Sequence, residues 1–216
     1  VMKKPQKTKP DGQSETSAEP ANKPANKKIS KGQKTRQQLI EVAASLFQKQ
    51  GFHATGIFDI AEAGNLPKGS IYYHFPGGKE EIGAAAVAFA GAQIAKALEE
   101  VAGKAKDPAD LMTKAAALLG DILVESDFQG GCPVCLVALE VAGKVEPIRQ
   151  SALEAYARWQ AIIEKQLCLF GMEKKKAAAQ AELAIAAIEG ALILSQVQRS
   201  PAPLRRLARQ LTLSLA

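Results

Sequence analysis

Three positions in the run from Phe52 to Phe75 set what this chain can fold into. Ala61 is small enough to let two helices cross closely. Asn65, four residues on, can take the left-handed conformation that a tight inter-helix turn needs. Ile71, six residues further, is an apolar anchor for the underside of a second helix. A small residue, a turn former and an aliphatic at this spacing describe a helix-turn-helix whose second helix can enter a DNA major groove. Pro67 suits a first helical position, so the recognition helix is predicted over 67–74. Its polar set is dense. Lys68 can reach phosphate or guanine, Gly69 lets a backbone come close, and Ser70 can donate to phosphate or base. Tyr72, Tyr73 and His74 can donate to phosphates flanking the groove. Thr55 and Lys79 stand at expected helix N-termini, where they can share a phosphate with backbone N–H groups. These eight residues are the candidate DNA contacts, and Ile71 and Phe75 are assigned to packing. The competing reading is an ordinary helical surface with Tyr72 or Tyr73 in the core.

The rest of the chain reads as helix. Thr35-Arg36-Gln37-Gln38 fits a capping box and predicts a helix to Gln50, with Leu39, Ile40, Ala43, Leu46 and Phe47 as its buried stripe and Gly51 as its C-cap. Thr55 is expected to cap the next short helix, with Asp59 near its positive end. Pro76-Gly77-Gly78 should stop the recognition helix, and a long helix should follow over 79–102. Asp107-Pro108 pairs a cap with a proline at the first helical position and opens a helix to about Ser126. Further helices are predicted over 133–143, 147–170, 173–198 and 204–215. The chain is therefore expected to be all-α, with about nine helices, no strand and no internal repeat. A low aromatic content, 5%, and abundant alanine agree with that.

A chain of 216 residues can bury a full core and could hold one or two domains. Of the formal charge of +6, residues 1–33 hold +5, through eight lysines against Asp11, Glu15 and Glu19. With Pro5, Pro10, Pro20 and Pro24 and no apolar periodicity, residues 1–33 are expected to form a disordered basic tail. Two roles stay open for it: an arm adding non-specific affinity for DNA backbone, or a solubilising leader. No uninterrupted apolar run reaches the roughly 18 residues of a bilayer span. The N-terminus lacks the apolar core of a secretory signal, and three cysteines show no disulfide-rich spacing. A cytoplasmic protein with no membrane partner is expected.

The segment from Thr35 to Ile82 resembles the DNA-binding domain of the TetR family of bacterial one-component repressors. The resemblance rests on Ala43-Ala44-x-Leu46-Phe47 with Gly51-Phe52, on Asp59-Ile60-Ala61, and on Lys68-Gly69-Ser70-Ile71-Tyr72-Tyr73-His74-Phe75. Phe75-Pro76-Gly77-Gly78-Lys79-Glu80, with Gly131-Cys132-Pro133-Val134 downstream, resembles a narrower branch typified by LmrA and YxaF. One departure is visible. Relatives usually read Ala-Ala-Gly-Leu across the turn, where this chain has Ala63-Gly64-Asn65-Leu66. The resemblance implies a helix-turn-helix DNA-binding domain at 34–80 and a helical effector-binding and dimerisation domain at 81–216. It also implies a homodimer on a palindromic double-stranded operator, released by a small-molecule effector.

An effector cavity would lie among the helices of the second part. Phe89, Gln93, Leu118, Leu119, Cys135, Leu139, Trp159 and Ile163 are the candidates to line it, and each would also serve as plain core. Trp159 stands out because a buried indole needs a partner for its N–H. Cys132-Pro133-Val134-Cys135 invites a redox or metal reading. A thioredoxin-like site would need a preceding strand, and structural zinc needs four ligands, whereas His53 and His74 belong to the DNA segment. The two cysteines are read as small buried apolar residues, with a thiol switch and a metal site as alternatives. No metal or cofactor is expected. In the resembled branch the Gly-Cys-Pro stretch lies beside the effector pocket. Leu183, Ile185, Ile188, Leu192, Ile193 and Val197 exceed one core-facing stripe, so the last two helices are expected to form a four-helix dimer interface unless both faces are covered within the subunit. No catalytic constellation is visible, and no enzyme is expected. The reading is a ligand-responsive transcriptional repressor. Its rivals are a constitutive architectural DNA-binding protein and a thiol redox sensor or oxidoreductase using Cys132 and Cys135.

Overall fold

The computed structural model describes residues 1–3 and 30–213. Most of the expected basic tail, and the end of the expected last helix beyond Leu213, lie outside the described residues. Within them the chain is all-α, with nine helices: α1 (Lys31–Gln50), α2 (Ile57–Ala63), α3 (Lys68–His74), α4 (Gly78–Lys104), α5 (Pro108–Glu125), α6 (Pro133–Val141), α7 (Glu146–Leu169), α8 (Lys174–Gln198) and α9 (Ala202–Leu213).

Local chemistry explains where the helices begin. α1 starts one turn before the expected Thr35. Ser30 accepts from the Gln33 N–H, and the Gln33 side chain accepts from the Ser30 N–H, a capping box of the same pattern. Extending a nucleated helix by a turn is cheaper than starting one, so Thr35 ends up inside it, donating to the Lys31 carbonyl. α2 is capped by Gly56, whose N–H donates to Asp59 Oδ2 at 2.7 Å, and not by Thr55. Asp107 caps α5 as expected, accepting from the Asp110 N–H at 2.7 Å.

The turn between α2 and α3 depends on Asn65, which sits at φ 50°. Leu66 N–H donates to the Ala61 carbonyl and Asn65 N–H to that of Glu62, while the Gln38 amide from α1 donates to the Gly64 carbonyl at 2.8 Å. Ala61, Ile71 and Phe75 are fully buried beneath this turn and α3. Pro67 is the N-cap of α3 rather than its first residue.

α4 leaves the three-helix unit and runs into the larger bundle. Its main partner is α7. The seam places Gly83 of α4 against Ile148 of α7, and Gly91 against Ala155 and Trp159. A methyl group on Gly91 would lie 2.6 Å from Ala155 Cβ, and one on Gly83 would lie 2.7 Å from both Ile148 Cδ1 and Phe52 Cε2. The Trp159 indole N–H donates to the Gly91 carbonyl at 2.9 Å across the same seam. α5 packs on α9, α8 on α7 and α9, and α6 bridges α1, α4 and α7. α4 and α8 are long and apolar enough to cross a membrane by length and composition, but both are packed into this bundle.

The apolar surplus near the C-terminus divides differently from expectation. Ile188 and Leu192 face the subunit's own core, and Leu192 is only 4% exposed. Leu183, Ile193, Leu194 and Val197 form an exposed face on the other side of α8. The outward residues of α9 include Arg205, Arg206 and Arg209, so the exposed apolar stripe belongs to α8. Four apolar side chains on one face, with exposed Gly190 between them, allow close approach of another helix.

The α4–α7 seam gives a direct test. Gly91→Ala improves helix propensity yet forces two backbones apart, because Ala155 Cβ has no rotamer to escape into. It should lower thermal stability by about 1–3 kcal/mol in a denaturation experiment. An unchanged or raised melting temperature would show that the seam is loose.

Candidate nucleic-acid interface and helical cavity

α3 presents most of its expected face to solvent. Lys68, Gly69, Tyr72 and Tyr73 are exposed, Tyr73 at 81%, and Ser70 and His74 are half-buried. Both tyrosines therefore stand outside the core. The rings of Tyr73 and His74 meet edge to face at 4.8 Å, and the Lys68 ammonium lies 4.8 Å from the centre of the exposed Phe58 ring. Phe58 was not among the candidates, since a phenylalanine in a short amphipathic helix reads as core. At Gly69 an added Cβ would meet nothing within 4 Å. The protein's own packing thus leaves room at that position for a partner to approach the backbone.

Two of the eight candidates have other engagements. Thr55 is fully buried; its hydroxyl donates to the Gly51 carbonyl at 2.8 Å and accepts from Gln50 Nε2 at 3.2 Å. It holds the end of α1 and offers no surface to a phosphate, which corrects its assignment as a contact. Lys79 lies in α4 beneath the α1–α2 loop, with its ammonium 4.5 Å from the Phe52 ring centre and 3.3 Å from the His53 carbonyl it donates to. Burial pulls its pKa below the ordinary lysine value, and Glu140 and Asp59 offset part of that.

The same loop is held from the other side. Glu140 of α6 accepts from the Phe52 N–H at 3.0 Å and the His53 N–H at 2.8 Å. At the opposite end of α6, the Gln48 amide of α1 donates to the Gly131 carbonyl at 3.1 Å. α6 is thus hydrogen-bonded to the helix-turn-helix unit through Glu140, and the loop leading into it through Gly131. A lone surface-type glutamate in sequence gave no sign of this clasp.

Two adjoining cavities lie among the helices behind α6. The outer one, about 320 Å³, is walled by Glu41, Ala44, Ser45 and Gln48 of α1 together with Phe89, Gln93, Ile122 and Pro133. The inner one, about 50 Å³, is lined by Leu118, Trp159, Ile163, Ile185, Ile188 and Glu189 among others. Ile94, Leu119, Cys132 and Leu192 border both. Phe89, Gln93, Leu118, Leu119, Trp159 and Ile163 are thus placed on cavity walls. Leu139 is not: it is 73% exposed on α6, which turns it away from the bundle, and this corrects its assignment. Cys135 packs half-buried beside the cavities but lines neither.

Cys132 is buried and its sulfur accepts from the Cys135 N–H at 3.5 Å, capping α6. Burial, reinforced by the negative charge of Glu189, pushes both thiols above their ordinary pKa, Cys132 the more strongly. A thiolate is the reactive form, so this environment works against a sensor or a dithiol catalyst. Glu189 itself went unnoticed in the sequence, because one glutamate on an alanine-rich helix reads as a solvated position. In the structure it accepts from the Tyr156 hydroxyl at 3.3 Å, and burial raises its pKa.

A helix-turn-helix with an exposed polar recognition helix, joined by one long helix to a cavity-bearing bundle, matches known regulators along its length. Residues 39–86 match the family described as bacterial regulatory proteins, tetR family. Residues 108–210 match the C-terminal domain of LmrA/YxaF-like transcriptional regulators. The HTH-type transcriptional regulator LmrA of Bacillus subtilis is 33% identical over 171 residues, covering 79% of this chain and 90% of LmrA. The chain belongs to the TetR family of transcriptional regulators, with a C-terminal domain of the LmrA/YxaF type. YxaF of the same organism is 30% identical over 177 residues, covering 82% of this chain and 93% of its own. In fold, this TetR-family regulator is similar to a TetR transcriptional regulator from Legionella pneumophila, with a TM-score of 0.74 at 23% identity over 83% of this chain and 96% of that one.

Gly69 separates a DNA role from a structural one. Gly69→Ala should leave the fold intact or raise its stability by up to about 1 kcal/mol through helix propensity, while weakening binding to the DNA flanking its own gene. Parallel thermal melts and gel shifts decide it. Unchanged DNA affinity would show that nothing approaches the α3 backbone closely.

Proposed function

We propose that the chain is a homodimeric repressor that leaves a palindromic operator when a small molecule fills the helical cavity. The observation carrying this reading is that α1 belongs to both sites. One face of α1 supports the helix-turn-helix, while Glu41, Ala44, Ser45 and Gln48 wall the outer cavity. A ligand there would press on the element that positions α3, and α6 would transmit its own displacement through Gln48 and Glu140.

Each subunit would set α3 in one major groove, with Lys68, Gly69, Ser70, Tyr72, Tyr73 and His74 toward bases and phosphates. Two α3 helices must meet two grooves at a set separation, so a change in the angle of α4 is enough to break simultaneous contact. Lys79 would add to phosphate binding only by leaving the Phe52–His53 loop, which makes it the candidate most sensitive to that angle. We retain the working division at residue 80. α4, which begins at Gly78, runs through it and serves as the lever. The dimer would form through the exposed α8 face of Leu183, Ile193, Leu194 and Val197 rather than through Leu192. We place the protein in the cytoplasm, with the DNA, and read α4 and α8 as core and interface helices rather than membrane spans.

The decisive experiment is a gel shift on DNA flanking its own gene, repeated against a small-molecule panel. A specific shift that some panel members reverse is the expected result. A shift that no compound reverses would favour the constitutive architectural reading.

The interface has its own test. Leu194→Arg should convert a dimer at micromolar concentration into a folded monomer by sedimentation, and operator affinity should collapse, because one recognition helix reaches only a half-site. A mutant that stays dimeric places the interface elsewhere; a monomer with full operator affinity removes the two-groove mechanism.

A further inference from the structure

The face that carries α3 holds one side chain whose chemistry differs from its neighbours. Among the described residues of 30–80, the exposed large apolar or aromatic side chains are Phe58, Tyr72 and Tyr73. Both tyrosines end in a hydroxyl that can donate to phosphate. Phe58 has no polar side-chain atom, yet it stands 45% exposed on α2, outside the buried stripe of Ile60 and Ala61. The Lys68 ammonium, 4.8 Å from the ring centre, ties this phenyl ring to α3.

Lys68 is the first residue of α3. In a helix-turn-helix the N-terminal residues of the second helix contact base edges, while the first helix crosses the backbone. A ring that meets Lys68 therefore lies on the side of α2 that turns toward the bases. At the following residue, Gly69, an added Cβ would meet nothing within 4 Å, so the approach to this corner is open. Base edges in the major groove offer hydrogen-bond donors, acceptors and a single apolar group, the thymine methyl. A phenyl ring can satisfy neither donors nor acceptors. Pressed on a cytosine amino group it would leave a desolvated donor unpaired, which costs affinity. The group it complements is the methyl.

We propose that Phe58 reads a thymine methyl in each half-site, beside the base or phosphate that Lys68 takes. It adds a thymine requirement that the polar residues of α3 do not supply. This rests on α3 entering the major groove. The face of the ring attracts the Lys68 ammonium through its quadrupole, so the apolar and the charged reader reach the DNA as a pair. Burial of one methyl sets the scale of the effect, about fourfold in affinity per half-site.

Selection from random-sequence duplexes with the full chain supplies the DNA site. Its thymines are then replaced one at a time by uracil, which lacks only the methyl. One such replacement in each half-site should weaken the parent about fourfold in a gel shift. In Phe58→Ala the same replacement should have no effect, and selection with that variant should lose the thymine at that position. Its salt dependence should match the parent's, because the ring carries no charge. A parent indifferent to every replacement, or a methyl effect equally strong in Phe58→Ala, overturns the proposal. An altered salt slope with the methyl effect intact makes Phe58 a support for Lys68 alone, and overturns it too. In each of these cases the groove reading stands if Gly69→Ala weakens the selected site; retention of no duplex removes both. Should Phe58→Ala fail to fold, Phe58→Gln replaces the ring with a polar side chain at this exposed position and must lose the methyl effect in the same way.

Discussion

The close crossing of α4 and α7 is the constraint on which the rest of the structure depends. Gly83 and Gly91 let the two backbones approach until Ala155 and Ile148 fill the space a side chain would occupy, and the Trp159 indole ties the seam to the Gly91 carbonyl. Protein interiors pack at crystal-like density, so such a seam resists deformation and moves as a unit. α4 is also the helix that enters the three-helix unit, with Ile82 buried and Lys79 beneath the Phe52–His53 loop. The geometry of that one seam therefore sets the angle at which the recognition helix leaves the bundle.

α6 is a second connection of a different kind. It is short, with its Cys132 end on the cavities and its Glu140 end on the loop between α1 and α2. Hydrogen bonds are directional and lose strength over a few tenths of an ångström. A displacement of α6 too small to disturb the α4–α7 seam can still break the Glu140 clasp. On the proposed reading, a stiff lever and a brittle tie would together couple the cavity to the DNA surface. The polar groups here have structural partners: the thiols cap and pack, Thr55 holds the end of α1, and Lys79 stacks on Phe52.

Much of this was legible in the residue order, because it is local physics. Helix periodicity, caps such as Asp107, and the Ala61, Asn65 and Ile71 spacing depend on neighbours within a turn or two. The all-α class and the recognition helix with its exposed Lys68, Tyr72 and Tyr73 follow from them. The departures there are local too: Ser30 and Gln33 repeat the cap pattern of Thr35 and Gln38 five residues earlier, and Gly56 displaces Thr55 because the Asp59 carboxylate reaches back to it.

What the residue order could not decide is which side of a helix meets which neighbour. Leu192 and Leu194 are alike in composition and two residues apart, yet a turn of about 200° at 100° per residue sends one into the cavity wall and the other to the surface. Leu139 and Glu140 are adjacent, and α6 sends the first to solvent and the second to the Phe52–His53 backbone. Glu189 looks like a solvated residue until Tyr156, 33 positions away, is brought against it. The sequence by itself determined the helices and the DNA-reading motif, because short-range hydrogen bonding and periodicity specify them. The cavity, the Tyr156–Glu189 contact and the ties between the two parts were decided by the tertiary structure alone, because they depend on the rotation and crossing of helices far apart in the chain.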